Sequence, residues 1–105
     1  MAIVATKFAD TVSCADHYKK HKADFPTARS AAEYERLAVA FLNAEPDAAI
    51  MDHERRNGDR VRYHLLTDEF AIVRWDGMVK TYFIAKVRVH GRSSNLDYFY
   101  QECMK

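Results

Sequence analysis

"RVRYHLLTDEFAIVRWDGMVKTYF", residues 60–83, decides the fold. Its apolar side chains recur with a period of two, at Val61, Tyr63 and Leu65, then Phe70 and Ile72, then Val79, Thr81 and Phe83. That period marks half-buried strands. Asp76-Gly77 is a strong signal for a two-residue type I′ hairpin, whose central positions need positive φ, and Thr67-Asp68 supplies a second turn. The stretch therefore predicts a three-stranded antiparallel meander over about residues 59–85. With Asp76 and Gly77 as the loop, Trp75 pairs with Met78, Arg74 with Val79, Ile72 with Thr81 and Phe70 with Phe83, and paired residues share a face. One face is then Val61, Tyr63, Leu65, Phe70, Ile72, Arg74, Val79, Thr81 and Phe83, apolar enough for the helices to lie on it. Tyr63, Arg74 and Thr81 place polar tips there, which must be bonded or stand at an open edge.

Upstream of the strands the period is helical. Phe8, Val12, Ala15 and Tyr18 predict a first helix within about Ala5 to Ala23, stopped by Pro26. "SAAEYERLAVAFL", residues 30–42, opens with Ser30 and places Glu33 three positions on, a capping box. Tyr34, Leu37, Ala38, Phe41 and Leu42 give this second helix a core face, and the helical part spans about residues 5–45. At the other end, "SSNLDYFYQECMK" predicts a helix starting at Asn95 or a fourth strand, over about residues 95–104. The expected class is α+β, N-terminal helices packed on a small twisted antiparallel sheet, with residues 1–105 as a single domain.

Composition narrows the partners. Sixteen Lys and Arg against fifteen Asp and Glu give a formal charge of +1, so no global field draws nucleic acid and any RNA site must be a local basic patch. No apolar run approaches the ~20 residues of a membrane span, and "MAIVATKFADT" lacks the pattern of a secretory leader. Cys14 and Cys103 form no zinc or CxxC pattern and are expected as free thiols.

The chemistry-bearing stretch is "DHYKKHKADF", residues 16–25. His17 and His21 are four apart and share one face of the first helix. Imidazole exchanges protons near neutrality, so the pair can be an acid/base couple, a metal site or a solvated helix end. Zinc is the weaker reading: Tyr18 stands where a metalloprotease helix carries Glu, and no third ligand is marked. "HERRNGDRVR", residues 53–62, has four arginines that could grip a phosphate backbone or be solvated. His53, His64 and His90 carry no assigned role.

These segments together resemble a known family. "DHYKKHKADF", "SAAEYERLAVAFL", the 60–83 stretch and "NLDYFYQEC" are similar, in order and spacing, to the C-terminal toxin domains of bacterial polymorphic and contact-dependent inhibition proteins. Those domains belong to the ribonuclease superfamily that joins barnase, EndoU, the tRNA-cleaving colicins and RelE. The likeness covers about residues 14–103. Lys22 and Pro26 depart from the usual glycine-bearing pattern, and Ile84-Ala85 stand where a proline is common.

The resemblance implies a metal-independent endoribonuclease, with tRNA the expected substrate, that works by attack of a 2′-hydroxyl on the adjacent phosphate and needs no cofactor. It implies His17 and His21 as the proton-transfer pair, Lys20 on the phosphate and Thr81 as a donor to a non-bridging oxygen. Lys19, Arg62, Arg74, Tyr63 and Tyr82 are the expected RNA contacts. The implied partners are RNA and a cognate immunity protein, with no membrane and no metal. The domain would be secreted or delivered from the cell surface within a larger effector and act in the cytoplasm of the target bacterium. The competing expectation is a non-catalytic binding or antitoxin-like module of the same fold.

Overall fold

The computed structural model describes residues 3–105. Met1 and Ala2, which open both the leader reading and the domain reading, lie outside the described residues. In chain order the elements are β1 (Lys7–Phe8), α1 (Thr11–His21) running into a 3₁₀ turn (Lys22–Asp24), α2 (Ala31–Asn43), β2 (Ile50–Glu54), β3 (Arg60–His64), β4 (Glu69–Val73), β5 (Met78–Ile84), α3 (Val87–His90) and α4 (Asn95–Cys103). The strands form one sheet in the order β1-β5-β4-β3-β2. Strands β2 to β5 are an antiparallel meander, and β1 adds in parallel to β5. The α+β class holds, with three corrections. The sheet is mixed rather than antiparallel, the meander begins at Ile50 rather than near residue 59, and the first helix begins only at Thr11.

Helices α1, α2 and α4 each start at a side-chain cap, whereas α3 follows Lys86 without one. Asp10 and Ser94 accept from the N–H groups of Ser13 and Asp97, and Ser30 accepts from Glu33. The return arm of the Ser30 box lands one residue early, with the Glu33 carboxylate accepting from the Arg29 N–H at 3.1 Å. The edge of β1 away from β5 is satisfied by α2 side chains: Glu35 accepts from Phe8 N–H, and Asn43 both accepts from and donates to Ala5.

The β4–β5 hairpin differs from expectation in a way that matters for the site. Arg74 N–H donates to Met78 O and Gly77 N–H to Arg74 O, so the loop is Trp75-Asp76-Gly77, with Gly77 at φ +92°. This is the three-residue hairpin that ends in a left-handed glycine. Ile72 faces Thr81 and Phe70 faces Phe83 as expected, but Val73 faces Val79. Lys80 is therefore an extra residue, a bulge that turns Val79 away from the face of Thr81. Leu65 also leaves the expected face: it sits exposed in the β3–β4 turn, where Asp68 has φ +62°.

The sheet is covered on both sides. Ala71, Val73, Val79 and Tyr82 pack with Cys14, Tyr34, Ala38, Phe41 and Leu42 of α1 and α2. Val61, Tyr63, Phe70, Ile72 and Phe83 pack with Leu96, Tyr98 and Phe99 of α4. The alternating face read from the sequence thus belongs to α4, and α1 and α2 occupy the opposite one. The continuous apolar run "FAIV" in β4 is the residue-level cause, since a strand covered on both faces needs no alternation. On α1 the inward stripe is Cys14, His17, Tyr18 and His21, while Val12 is 68% exposed.

Candidate active site

Beyond Val79, β5 has no strand on its outer side, because β1 pairs only with Met78 and Val79. Helix α1 lies across this open edge. The His17 ring sits 5.4 Å from that of Phe8, in the α1–α2 core, and the His21 ring sits 5.4 Å from that of Phe83, on the α4 face. The two histidines, 6.1 Å apart between ring centres, thus step around the edge of the sheet from one face to the other. Thr81 precedes Phe83 by two residues on the same face, ~7 Å along the strand. His17, Lys20, His21 and Thr81 all line one cleft of about 680 Å³. The first helix therefore meets Thr81 around the sheet edge rather than by covering its face, which corrects the expected geometry while leaving the four residues together.

The far wall of the cleft comes from the C-terminal segment, through Lys86, Arg88, His90 and Arg92 around α3 and Tyr98, Glu102 and Lys105 in and after α4. Both carboxylates of the cleft lining are already engaged: Asp24, in the turn after α1, by Lys86, and Glu102 by Arg55 and Lys105. Lys20, Arg88 and Arg92 make no ion pair among the described residues. A near-neutral chain thus carries a local excess of positive charge beside two imidazoles, which suits a phosphodiester.

Burial shapes the proton chemistry. Both imidazoles are held below the ordinary value of 6.5, His17 by desolvation and then by Lys20, His21 by desolvation and then by Lys20 and His17. The neighbouring carboxylates Asp16 and Asp24 act the other way, less strongly. His17 Nδ1 is buried without a hydrogen-bond partner, which leaves Nε2 as the nitrogen able to reach the cleft and adds to the cost of an imidazolium, whose second N–H would lack an acceptor.

None of the five expected RNA contacts lines the cleft. Arg62 is 1% exposed; it forks onto Asp52 at 2.7 and 2.8 Å and donates to Phe41 O and Ala44 O, where it closes the C-terminus of α2. Tyr63 and Tyr82 are buried, their hydroxyls donating to Asp68 and Glu69. Arg74 forks onto Asp76 in the hairpin loop, outside the cleft lining. Lys19 is exposed on α1 next to Lys20 but does not line the cleft. The arginine run also dissolves as a patch, since Arg55 is buried on Glu102 and Arg60 donates to Ile3 O and Leu42 O. A second depression of about 560 Å³ contains Asp52, Arg60 and Arg62, but there the charges pair with one another.

Sequence reading missed Lys86, Arg88, His90, Arg92 and Tyr98. The available signal was "KVRVHGR", residues 86–92, where basic residues alternate with valine and the run ends in a turn glycine; Gly91 is indeed left-handed, at φ +74°. Among the described residues no group of three or more His, Cys, Asp or Glu side chains is placed to hold a metal ion, and no helix is long and apolar enough to cross a membrane. No protein-family model matches the chain, and no curated protein matches it significantly.

Proposed function

We propose that the protein is a metal-independent endoribonuclease of the toxin class, with tRNA as its substrate and a cognate immunity protein as its partner. The observation that carries this reading is the convergence of two half-buried, proton-exchanging histidines with Lys20 and Thr81 in a cleft that holds cations without ion-pair partners. One imidazole takes the 2′-proton as the 2′-oxygen bonds to phosphorus; the other, in its protonated form, gives its proton to the leaving 5′-oxygen as that P–O bond breaks. Lys20 and the Thr81 hydroxyl offset charge on the non-bridging oxygens. The products are a 2′,3′-cyclic phosphate and a 5′-hydroxyl. The resemblance supplies delivery within a larger effector and action in the cytoplasm of a target bacterium.

The test is incubation of total tRNA with the protein in excess EDTA, with analysis of the product ends. The expected result is cleavage with cyclic phosphate ends, and a substrate carrying 2′-deoxyribose at the cut position should resist. Cleavage abolished by chelation and restored by zinc or magnesium, or no cleavage at all, would overturn the reading, and the second outcome would favour a non-catalytic binding module.

A further inference from the structure

His90 lines the same cleft as His17 and His21, yet its hydrogen bonds remove it from proton transfer. Asn95 Nδ2 donates to Ala85 O at 3.0 Å, which fixes Oδ1 of that amide as the acceptor facing His90 Nε2 at 2.7 Å. His90 Nδ1 in turn accepts from the Arg92 N–H at 3.0 Å. Both ring nitrogens are thereby committed, and the network assigns the neutral Nε2–H tautomer. The ring is held almost parallel to that of Tyr98, at 10° and 4.4 Å between centres, and Tyr98 is wedged in turn against Phe70 at 5.0 Å. His90 ends this stack, with no further ring on its other side among the described residues. Arg88 and Arg92, on either side of it in sequence, also line the cleft.

We propose that the outer face of His90, backed by Tyr98, is a nucleobase-stacking subsite that holds one unpaired base of an RNA strand while Arg88 and Arg92 take the flanking phosphates. A flat, neutral, rigidly held ring beside cations is the arrangement with which proteins hold single-stranded nucleic acid. The inference deepens the ribonuclease reading and rests on it for the choice of RNA. His90 is a binding residue here and takes no part in proton transfer.

The experiment measures binding of a labelled 2′-fluoro RNA pentanucleotide, which has no 2′-hydroxyl and cannot be cleaved, together with versions carrying one abasic position moved along the strand. Stacking is worth about 1 to 3 kcal/mol per base, so His90→Ala should weaken the intact strand roughly 5- to 150-fold. His90→Phe should restore most of that. One abasic position should weaken wild type by a similar factor and cost His90→Ala nothing further. Should the alanine variant lose its fold, His90→Phe against His90→Leu gives the same contrast, because leucine fills space without a π face. Equal binding by the phenylalanine and leucine variants, a penalty for abasic sites that is independent of His90, or no binding by wild type would overturn the subsite. Cleavage is scored separately: cutting with binding indifferent to His90 refutes the subsite alone, and His90-dependent binding without cutting refutes the ribonuclease alone.

Discussion

His17 and His21 are the residues whose roles the environment decides, and the consequences show in pH. Unfolded, each titrates near 6.5; folded, each is lower. Below pH 6.5 the unfolded chain binds more protons than the folded one, so the stability these two groups contribute is present above 6.5 and is lost as pH falls through their folded values. Thermal unfolding should therefore shift to lower temperature between pH 7 and 5, and less so when both histidines are replaced by glutamine. Activity has its own signature: kcat/KM requires one neutral and one protonated imidazole in the free protein, so the profile should be a bell with its maximum below pH 6.5. Lys20→Met removes a charge that depresses both rings and should move that maximum upward; an optimum above pH 7.5 in wild type would contradict the assignment. Thr81→Ala should slow cleavage by up to ~10²- to 10³-fold without changing the optimum. The helical spacing made the histidine pair legible. His90 was not, because its place depends on a four-residue helix and an Asn95 amide five positions on, neither of which has a periodic signal.

At the scale of elements, side chains that look suited to a phosphate are used to close structure. Arg62 reads as an exposed base in an alternating strand, but the residues opposite it belong to a helix end, whose carbonyls need donors. Arg62→Ala should destabilise the domain by about 3 to 5 kcal/mol, the usual cost of breaking a buried pair, and should leave the RNA affinity of the folded fraction unchanged. A chemical-denaturation midpoint equal to wild type, or a selective loss of RNA binding, would return Arg62 to the surface role. Gly77 is the second structural point. It has positive φ, and a Cβ there would come within 2.6 Å of Val4 O, so Gly77→Ala should cost ~1 to 2 kcal/mol for the backbone plus the clash, as read from the same midpoint. Residues 95–104, as a short run, fitted a helix or a strand, whereas the Ser30 cap and the glycine turn were legible because each is a local signal. Strand β1 was not: its partners on β5 are 71 positions away, and two residues carry no period. The bulge at Lys80 escaped for a similar reason, since a hairpin's loop length is fixed by hydrogen bonds that an Asp-Gly pair does not specify.

For the whole molecule, the arrangement of layers makes the cleft. Two helices cover one face of the sheet and one covers the other; the edge of β5 is left for α1 to cross, and the C-terminal segment brings the remaining cations. Net charge near zero conceals this concentration. An immunity partner that covers the cleft should therefore be acidic at its contact surface, with association that is fast at low salt and slows steeply as salt is raised; a rate insensitive to ionic strength would count against a cleft-covering partner. The central claim, that the α1 histidines cleave RNA in this cleft, is tested most directly by tRNA cleavage in EDTA by wild type, His17→Ala and His21→Ala, each alongside its thermal unfolding. Both variants should unfold cooperatively near the wild-type temperature and cut ~10²- to 10⁴-fold more slowly; folded variants that retain full activity would show that these histidines do not carry the cleavage.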